Sequence, residues 1–263
     1  MSAPLLDVDA LSVRFGGLAA LSEVSFQVDR GTVHGLIGPN GAGKTTAFNL
    51  ITGLTPQTSG RVHLDGAPLD GLPTFRRTKL GLARTFQNIR MFREMTVLEN
   101  VLTGAHVRIN SELPAVLMRS PGFRRSERAA VTAAREILAH VGLVDQVSRR
   151  GGELSYGDQR RLEIARGLAS EPKLLLLDEP AAGMNPSETV GLIDLLVSLK
   201  GRGVTLLLVE HDMHFVMKLC DRITVLNFGK KIAEGTPLEV RRDPVVIEAY
   251  LGTKVARRLD GQA

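Results

Sequence analysis

The chain has 263 residues, of which 43% are hydrophobic and 23% are charged, a composition typical of globular proteins. No apolar run reaches the roughly 18 residues that a membrane span needs, and the length suits one large domain or one domain with a sizeable insertion. The net charge of +5 comes from basic pairs scattered along the chain, and aromatic residues make up only 4%. This pattern favours solvated faces, with some contact to anionic lipid or a partner, over a nucleic-acid-binding stripe.

Two features of the sequence indicate the cellular compartment of the protein. The single cysteine, Cys220, excludes an internal disulfide and fits a reducing compartment or a core position. The N-terminal stretch "MSAPLLDVDALSV" carries Asp7 and Asp9 and lacks a basic region, so it is not predicted to be a secretory signal. We therefore expect the protein in the cytoplasm.

The first chemical motif follows a short apolar strand predicted over 32–38. It is "GPNGAGKTT" at 38–46, which matches G-x-x-x-x-G-K-[ST]. In such a loop the glycines let successive N–H groups wrap a phosphate chain. Lys44 supplies charge to the β- and γ-phosphates, and the Thr45 hydroxyl ligates Mg²⁺. The sequence therefore predicts nucleotide binding.

The middle of the chain alternates between sheet and helix signals. A helix is predicted from Lys44 to Thr52 with Gly53 as its stop, followed by an antiparallel element, "SGRVHLDG". Apolar positions at helical spacing in 97–106 and 128–143 then predict a mostly helical insertion.

A further helix is predicted to open at Ser155, with Asp158 as a capping-box partner. Gly157 lies in its first turn, where alanine would be more favourable by about 1 kcal/mol. A bare helix N-terminus binds anions. The glycine therefore predicts that a negatively charged group approaches the backbone closely at this point.

Two later apolar strands, 173–180 and 204–212, also end in polar residues, and ligands bind at the carboxyl edge of such sheets. Asp178 is expected to hold Mg²⁺, directly or through water, and Glu179 to poise a water for attack on the γ-phosphate. The alternative is a pair of capping or surface carboxylates. His211 is predicted either to hydrogen-bond the γ-phosphate or to hold the attacking water. "RITVLNFGKKIAEG" then predicts a hairpin.

The P-loop, the "LSYGDQ" helix and "LLLLDEP", in this order and spacing, resemble the ATP-binding cassette (ABC) ATPases over nearly the whole chain. The resemblance implies an α/β P-loop NTPase fold with a mixed-sheet core, an antiparallel β element and a helical signature subdomain. We expect one ABC ATP-binding domain over 1–263, with 1–87 and 166–263 as catalytic core and 88–165 as helical subdomain.

The resemblance also implies roles for single residues. Phe15 falls where the family stacks an aromatic ring on adenine, Gln87 where a glutamine meets Mg²⁺ and couples to the membrane subunit, and His211 at the switch histidine. The catalytic candidates are thus Glu179, His211 and Gln87, and the metal candidates are Thr45, Gln87 and Asp178. The ATP-binding candidates are Phe15, Gly38, Pro39, Asn40, Gly41, Ala42, Gly43, Lys44, Thr45 and Thr46.

In the family two cassettes pack head to tail, and the signature helix of one caps the γ-phosphate held by the other. The common signature is L-S-G-G-Q, but this chain has Tyr156 at the third position and Asp158 at the fifth. In addition, Asn185 stands where many cassettes carry aspartate. The carboxylate of Asp158 would be unfavourable near a phosphate, so Asp158 is expected to point into its own helix as a capping partner. The residues expected to act on the partner's nucleotide are Ser155, Tyr156, Gly157, Asp158 and Gln159.

Stretches 84–101, 154–169, 177–186 and 209–217 together resemble the larger cassette of bacterial branched-chain amino acid importers, as does the segment 105–128. This implies a peripheral ATPase on the cytoplasmic side of the inner membrane that uses ATP and Mg²⁺. Its expected partners are two transmembrane permease subunits, a second, smaller ABC ATPase in a heterodimer and, indirectly, a periplasmic substrate-binding protein. Lipopolysaccharide export, another ABC system, or import of other amino acids, amides or urea remain alternatives.

The stretch "NIRMFREMTV" carries three adaptable apolar residues, Met91, Phe92 and Met95, among arginines. They form either ordinary core or a groove that accepts a short cytoplasmic helix of a permease.

Overall fold

The computed structural model of the protein describes residues 3–106 and 121–251. Most of the segment 105–128, which we likened to the importer cassettes, lies outside the described residues. Within the described ranges, no helix combines the length and the apolar character needed to cross a membrane.

Two sheets form the framework of the fold. The smaller sheet is antiparallel, in the order β2-β1-β4-β5, and consists of β1 (Leu6–Phe15), β2 (Leu18–Val28), β4 (Ser59–Leu64) and β5 (Ala67–Pro68). The larger sheet has the order β10-β9-β3-β8-β7-β6 and is parallel except for the hairpin β9–β10. Its strands are β3 (Val33–Ile37), β6 (Leu82–Arg84), β7 (Leu174–Asp178), β8 (Thr205–Val209), β9 (Arg222–Asn227) and β10 (Lys230–Gly235).

The central strands are apolar because both of their faces are covered. In β7, Leu174 and Leu176 point into one hydrophobic cluster, which includes the antiparallel sheet. Leu175 and Leu177 point into the other, which is built with the helices. The continuous leucine run therefore reflects a strand buried on both sides, as the sequence predicts. The α/β fold with an antiparallel β element and the 222–235 hairpin are confirmed.

The helices surround this sheet, and several of them begin or end where the sequence predicts. The helix over Lys44–Thr52 ends at Gly53, which has a left-handed φ of 75°, as predicted. Residues 88–96 are not helical, and the helix that opens after Ser155 runs past the predicted boundary at 165. The helices are α1 (Lys44–Thr52), α2 (Thr74–Lys79), α3 (Val97–Ala105), α4 (Pro121–His140), α5 (Tyr156–Leu168), α6 (Pro186–Gly201), α7 (Met213–Leu219), α8 (Pro237–Arg242) and α9 (Pro244–Leu251).

A buried ion pair on α5 fastens the segment that follows β6. Arg160 and Glu163 are fully buried and joined by an Nη1–Oε2 contact of 2.9 Å. Arg160 also donates to the carbonyls of Phe86 (2.8 Å) and Gln87 (2.9 Å), and Glu163 accepts from the backbone N–H of Phe86 (3.2 Å). These bonds compensate the burial of both charges. They also tie the backbone of Gln87 to the middle of α5.

Cys220 occupies a tight position at the end of α7. Its sulfur lies 3.0 Å from the place that a Cβ on Gly35 would take, so the glycine in β3 makes room for it. Burial raises the pKa of the Cys220 thiol to about 12, and the nearby Asp221 and Glu210 carboxylates act in the same direction. The sequence left core as one reading of this cysteine, and the structure places it there.

His34 of β3 is a buried histidine with a measurable consequence for stability. Its Nε2 lies 2.9 Å from the Thr224 hydroxyl, and its ring stacks on Phe26 at 5.6 Å. Burial lowers the pKa of His34 from 6.5 to about 4, with Arg222 and Lys231 acting in the same direction and Glu234 against them.

We expect stability to fall as the pH drops from 6.5 towards 4, because only the unfolded chain takes up the His34 proton in this window. Between pH 7 and pH 5 the contribution of His34 amounts to about 2 kcal/mol. Urea unfolding of the wild type and of His34→Gln at both pH values measures it as the difference between their pH slopes. The variant His63→Gln, at a half-buried position on β4, is the control. Equal slopes for all three proteins would contradict the assignment.

Candidate nucleotide-binding site

The site lies where the parallel strands β3, β8 and β7 end. β3 runs into the P-loop at Gly38, β7 ends at Asp178, and β8 is followed by His211 two residues later. The chemistry-bearing residues predicted at these strand ends therefore share one edge of the sheet, as in other open α/β folds.

Two glycines of the P-loop lie in close contact with other parts of the protein. A Cβ on Gly38, whose φ is 150°, would collide with the Leu226 carbonyl oxygen, and one on Gly43, whose φ is 103°, would lie 2.9 Å from Leu21. The β9–β10 turn supports the loop directly, since the Gly229 N–H donates to the Ala42 carbonyl at 3.0 Å. A side chain at either glycine would displace the loop.

The P-loop lines a cavity of about 450 Å³. The ring of Phe15, at the end of β1, is half exposed and is not among the described residues lining the cavity, whereas the exposed Leu18 is. A cavity lined by consecutive residues of a glycine-rich loop suits a chain of phosphates. The cavity is lined by Leu18, Ala19, Ala20, Asn40, Gly41, Ala42, Gly43, Lys44, Thr45, Thr46, Glu179, Phe228 and Gly229.

Lys44 is buried within the loop. Its ammonium donates to the carbonyls of Gly38 (2.7 Å) and Pro39 (3.0 Å). Burial lowers the pKa of Lys44, while the carboxylates of Glu179 and Asp178 oppose that shift. The lysine thus stands close to both candidate carboxylates, with a charge that a phosphate would stabilise further.

Glu179 is held in an unusual backbone conformation. Its φ of 45° is in the left-handed region, which is unfavourable for a residue with a side chain and is common at functional sites. The Gln87 side chain donates to Glu179 Oε2 at 2.8 Å, and His211 Nδ1 lies 4.0 Å from the same oxygen. The three catalytic candidates therefore meet at one carboxylate.

Glu210 is a residue of this site that our reading of the sequence missed. It is buried and accepts backbone N–H groups from Ala181 (3.0 Å) and His211 (3.1 Å). Burial raises the pKa of Glu210, and the N–H bonds act in the opposite direction. The carboxylate braces the loop after Glu179 against the start of the His211 segment. The signal available in the sequence was the position of Glu210, a charged residue directly after an apolar strand.

The three metal candidates offer oxygen donors of the kind that Mg²⁺ prefers: a hydroxyl, an amide and a carboxylate. Thr45 and Glu179 both line the cavity, and Gln87 contacts Glu179. Asp178 is buried and bound through Oδ2 to Arg84 at 2.7 Å. The donor set fits Mg²⁺ bound together with nucleotide phosphates, which is how proteins commonly hold this ion.

The start of α5 is capped as predicted but not by a closed capping box. The Ser155 hydroxyl accepts the Asp158 N–H at 3.2 Å, whereas the Asp158 carboxylate accepts from Gln146 (3.2 Å). The expectation that Asp158 caps its own helix therefore needs correction, because its carboxylate is bonded to the Gln146 amide outside α5. The carboxylate that approaches Gly157 closely is that of Glu188, whose Oε1 lies 2.9 Å from a Cβ placed there.

Tyr156 and Gln159 complete this segment. The Tyr156 hydroxyl donates to the Ala182 carbonyl at 2.9 Å, and its ring lies 3.3 Å from a Cβ placed on Gly183. The Gln159 amide donates to the Leu154 carbonyl at 2.9 Å. Among the described residues that line the P-loop cavity, none belongs to 155–159. The signature segment thus packs on the loop after Glu179 and stays outside the nucleotide cavity of its own chain.

Asn185 begins α6 as its N-cap. Its side-chain oxygen accepts the Glu188 N–H at 2.9 Å, and the Glu188 carboxylate accepts the Asn185 N–H, also at 2.9 Å. The substitution of asparagine for the family's aspartate therefore preserves a capping box.

Comparison with known proteins places this geometry in a family. The sequence profile described as "ABC transporter" matches residues 21–182, and the profile described as "Branched-chain amino acid ATP-binding cassette transporter" matches 230–256. The chain is 49% identical to the high-affinity branched-chain amino acid transport ATP-binding protein BraF of Pseudomonas aeruginosa, over 96% of this chain and 99% of that protein. It is 47% identical to LivG of Escherichia coli, which carries the same description, with the same coverage.

More distant relatives share the fold. The lipopolysaccharide export system ATP-binding protein LptB of Haemophilus influenzae is 34% identical over 94% of this chain and 97% of its own. The crystal structure of the ADP conformation of MJ1267, an ATP-binding cassette of an ABC transporter, matches with a TM-score of 0.83 and 33% identity, over 95% of this chain and all of that one. The chain belongs to the ABC transporter family and is one of its ATPases.

Proposed function

We propose that Glu179 acts as the general base of ATP hydrolysis. The P-loop N–H groups and Lys44 hold the β- and γ-phosphates, and Glu179 accepts a proton from the water that attacks the γ-phosphate. The observation that carries this proposal is the meeting of Gln87 and His211 at the Glu179 carboxylate, beside the P-loop cavity. Gln87 orients the carboxylate, and His211 hydrogen-bonds the γ-phosphate or the water.

Thr45, Gln87 and Asp178 are the residues that we propose for Mg²⁺. When bound, the ion neutralises negative charge on the phosphates of the nucleotide. Their hydroxyl, amide and carboxylate oxygens support this role, as does the buried position of Asp178 next to the P-loop lysine. Phe15 is proposed to stack on adenine, which its exposed ring at the end of β1 leaves possible.

We propose that the signature residues act on a nucleotide bound to a second cassette. The cavity of this chain is lined by none of the described residues 155–159, and Ser155 and Tyr156 are exposed. The exposed start of α5 offers a favourable dipole, and its Ser155 hydroxyl offers a donor, to a γ-phosphate brought from outside. The second cassette is proposed to be a smaller, related ATPase.

The coupling surface is proposed to be a groove of about 410 Å³ between α2, β6, α3 and α5. Of the three apolar residues singled out in the sequence, the half-exposed Phe92 lines this groove, whereas Met91 packs on the core. Met95 is exposed but is not among the described residues of the groove. Phe92 therefore best supports docking of a permease helix, a mode in which an amphipathic helix lies in an apolar groove.

The transported substrates are proposed to be leucine, isoleucine and valine. Identity of 47–49% to BraF and LivG, against 34% to LptB, supports import over lipopolysaccharide export. In this assignment the chain sits on the cytoplasmic face of the inner membrane, bound to two permease subunits that receive substrate from a periplasmic binding protein. No nucleic acid takes part.

The variant Glu179→Gln tests the base. We expect ATP hydrolysis to fall by about 10²–10⁴-fold, because an amide cannot accept the proton, while ATP binding persists. A phosphate-release assay and a filter-binding assay measure the two quantities, and size exclusion with ATP tests whether a closed dimer accumulates. Glu23→Gln is the matched control, since Glu23 shares the left-handed backbone (φ 51°) and is not among the described residues that line the cavity. Wild-type turnover in Glu179→Gln would remove Glu179 from this role.

The variant Phe92→Asp tests the groove. A carboxylate there would disfavour an apolar helix, so we expect uptake of radiolabelled leucine into proteoliposomes to be lost while the cassette still binds ATP. Val190→Asp, at an equally exposed position on α6 outside the groove, should leave uptake unchanged. Normal uptake by Phe92→Asp would place the coupling surface elsewhere.

The partners can be identified by affinity purification. Tagged Glu179→Gln, extracted from membranes in mild detergent with ATP and Mg²⁺, should bring along two polytopic permeases and a second, smaller cassette. Mass spectrometry identifies them and selects the amino acids for an uptake assay. Recovery of a single kind of cassette would contradict the heterodimer, and recovery of lipopolysaccharide-export components would replace the importer assignment.

A further inference from the structure

Arg84 is a buried charge that the roles assigned so far leave unused. Only 7% of its side chain is exposed, and it binds the equally buried Asp178 through an Nη2–Oδ2 contact of 2.7 Å. The pairing follows from the sheet, because Arg84 of β6 stands opposite Leu176 of β7. Asp178, two residues further on, projects from the same face of β7 as Leu176.

The guanidinium is held through both of its terminal nitrogens, while its buried Nε has no hydrogen-bond partner among the described residues. Its Nη1 donates to Asn49 Oδ1 at 2.8 Å and to Thr52 Oγ1 at 3.2 Å, both on α1, the helix that follows the P-loop. Its Cζ also lies over the rings of Phe48 and Phe86, at 5.5 Å and 5.2 Å from their centroids. A planar cation held by rings and by hydrogen bonds at both ends has one orientation available to it.

The two carboxylate oxygens of Asp178 differ in their hydrogen bonding. Oδ2 is occupied by Arg84, whereas Oδ1 takes no hydrogen bond from any of the described residues. Charge-assisted bonds of this kind orient a carboxylate, and outer-shell partners of metal-binding carboxylates set the affinity for the ion. The same arginine reaches the P-loop helix, so it also fixes the carboxylate relative to the P-loop, which carries Thr45.

We propose that Arg84 is a positioning residue for Mg²⁺: it holds Asp178 Oδ2 so that Oδ1 is presented to the ion. The inference rests on the proposed role of Asp178 in Mg²⁺ binding. A second contact lies beside this one: Gln87, three residues after Arg84, binds Glu179, the residue after Asp178. The end of β6 and the segment that follows it thereby contact both successive carboxylates of the site.

The test uses Mn²⁺ as the probe, since its spin signal reports bound and free ion directly. Mn²⁺ is titrated into the purified chain in the presence of a non-hydrolysable ATP analogue, and binding of a fluorescent ATP analogue in EDTA is measured in parallel. For Arg84→Met we expect about 10–100-fold weaker Mn²⁺ binding, with metal-free nucleotide binding retained. Arg84→Lys keeps a cation but cannot reach Asp178 and Asn49 together, so its Mn²⁺ affinity should be intermediate.

Arg77→Met is the matched control. Arg77 is also buried and also binds α1, through the carbonyls of Leu50 and Ile51 at 2.7 Å, but the structure gives it no contact with Asp178. Unchanged or tighter Mn²⁺ binding in Arg84→Met would overturn the inference, as would equal weakening in Arg77→Met. If Arg84→Met does not fold, Arg84→Lys decides by the same criterion. Asp178→Asn separates the two proposals, because undiminished Mn²⁺ binding in that variant would remove the metal role of Asp178 itself.

Discussion

The register of three parallel strands is the constraint on which the whole site depends. Leu36 of β3 and Asp178 of β7 both pair with Val209 of β8, so the residues that follow each strand emerge together at one edge. All five residues of each strand are buried. A slip by one residue would turn the leucines that face one hydrophobic cluster towards the other. Packing of the core and alignment of the strand ends at this edge are therefore one requirement, satisfied by the same leucines and valines.

The helical part of the chain is connected to that edge through charges rather than through apolar packing alone. Arg160 and Glu163 hold the backbone around Gln87 at the middle of α5, while Tyr156 at the start of α5 binds the loop after Glu179. Because Gln87 also donates to Glu179, α5 is linked to Glu179 by two routes, through Gln87 and through the loop that follows Glu179. A displacement of this helix cannot leave the Glu179 environment unchanged, and this is the mechanical basis for coupling in the proposed function.

What the sequence could predict was local. The P-loop, the helix from Lys44 to Gly53, the strand ends and the hairpin follow from short patterns, and the family follows from the order of motifs. What it could not predict are contacts between distant residues, such as Arg84 with Asp178, 94 positions apart. Gly157 shows the difference: its residue type indicated an approaching negatively charged group, expected to be a phosphate on a second cassette, but not that the Glu188 carboxylate of the same chain lies close to it. The individual roles of the site residues stay predictions.

The tight seat of Cys220 has a practical consequence for studying motion in this protein. The chain contains one cysteine, and its thiol is buried, packed beside Gly35 and held far from thiolate formation by its raised pKa. Since the thiolate is the species that reacts with maleimides and with spin-label reagents, the native chain presents almost no labelling background. Cysteines engineered in pairs on the sheet and on α5 would carry probes selectively without removal of the native residue, so distances between the two parts can be followed through a turnover cycle in otherwise unaltered protein.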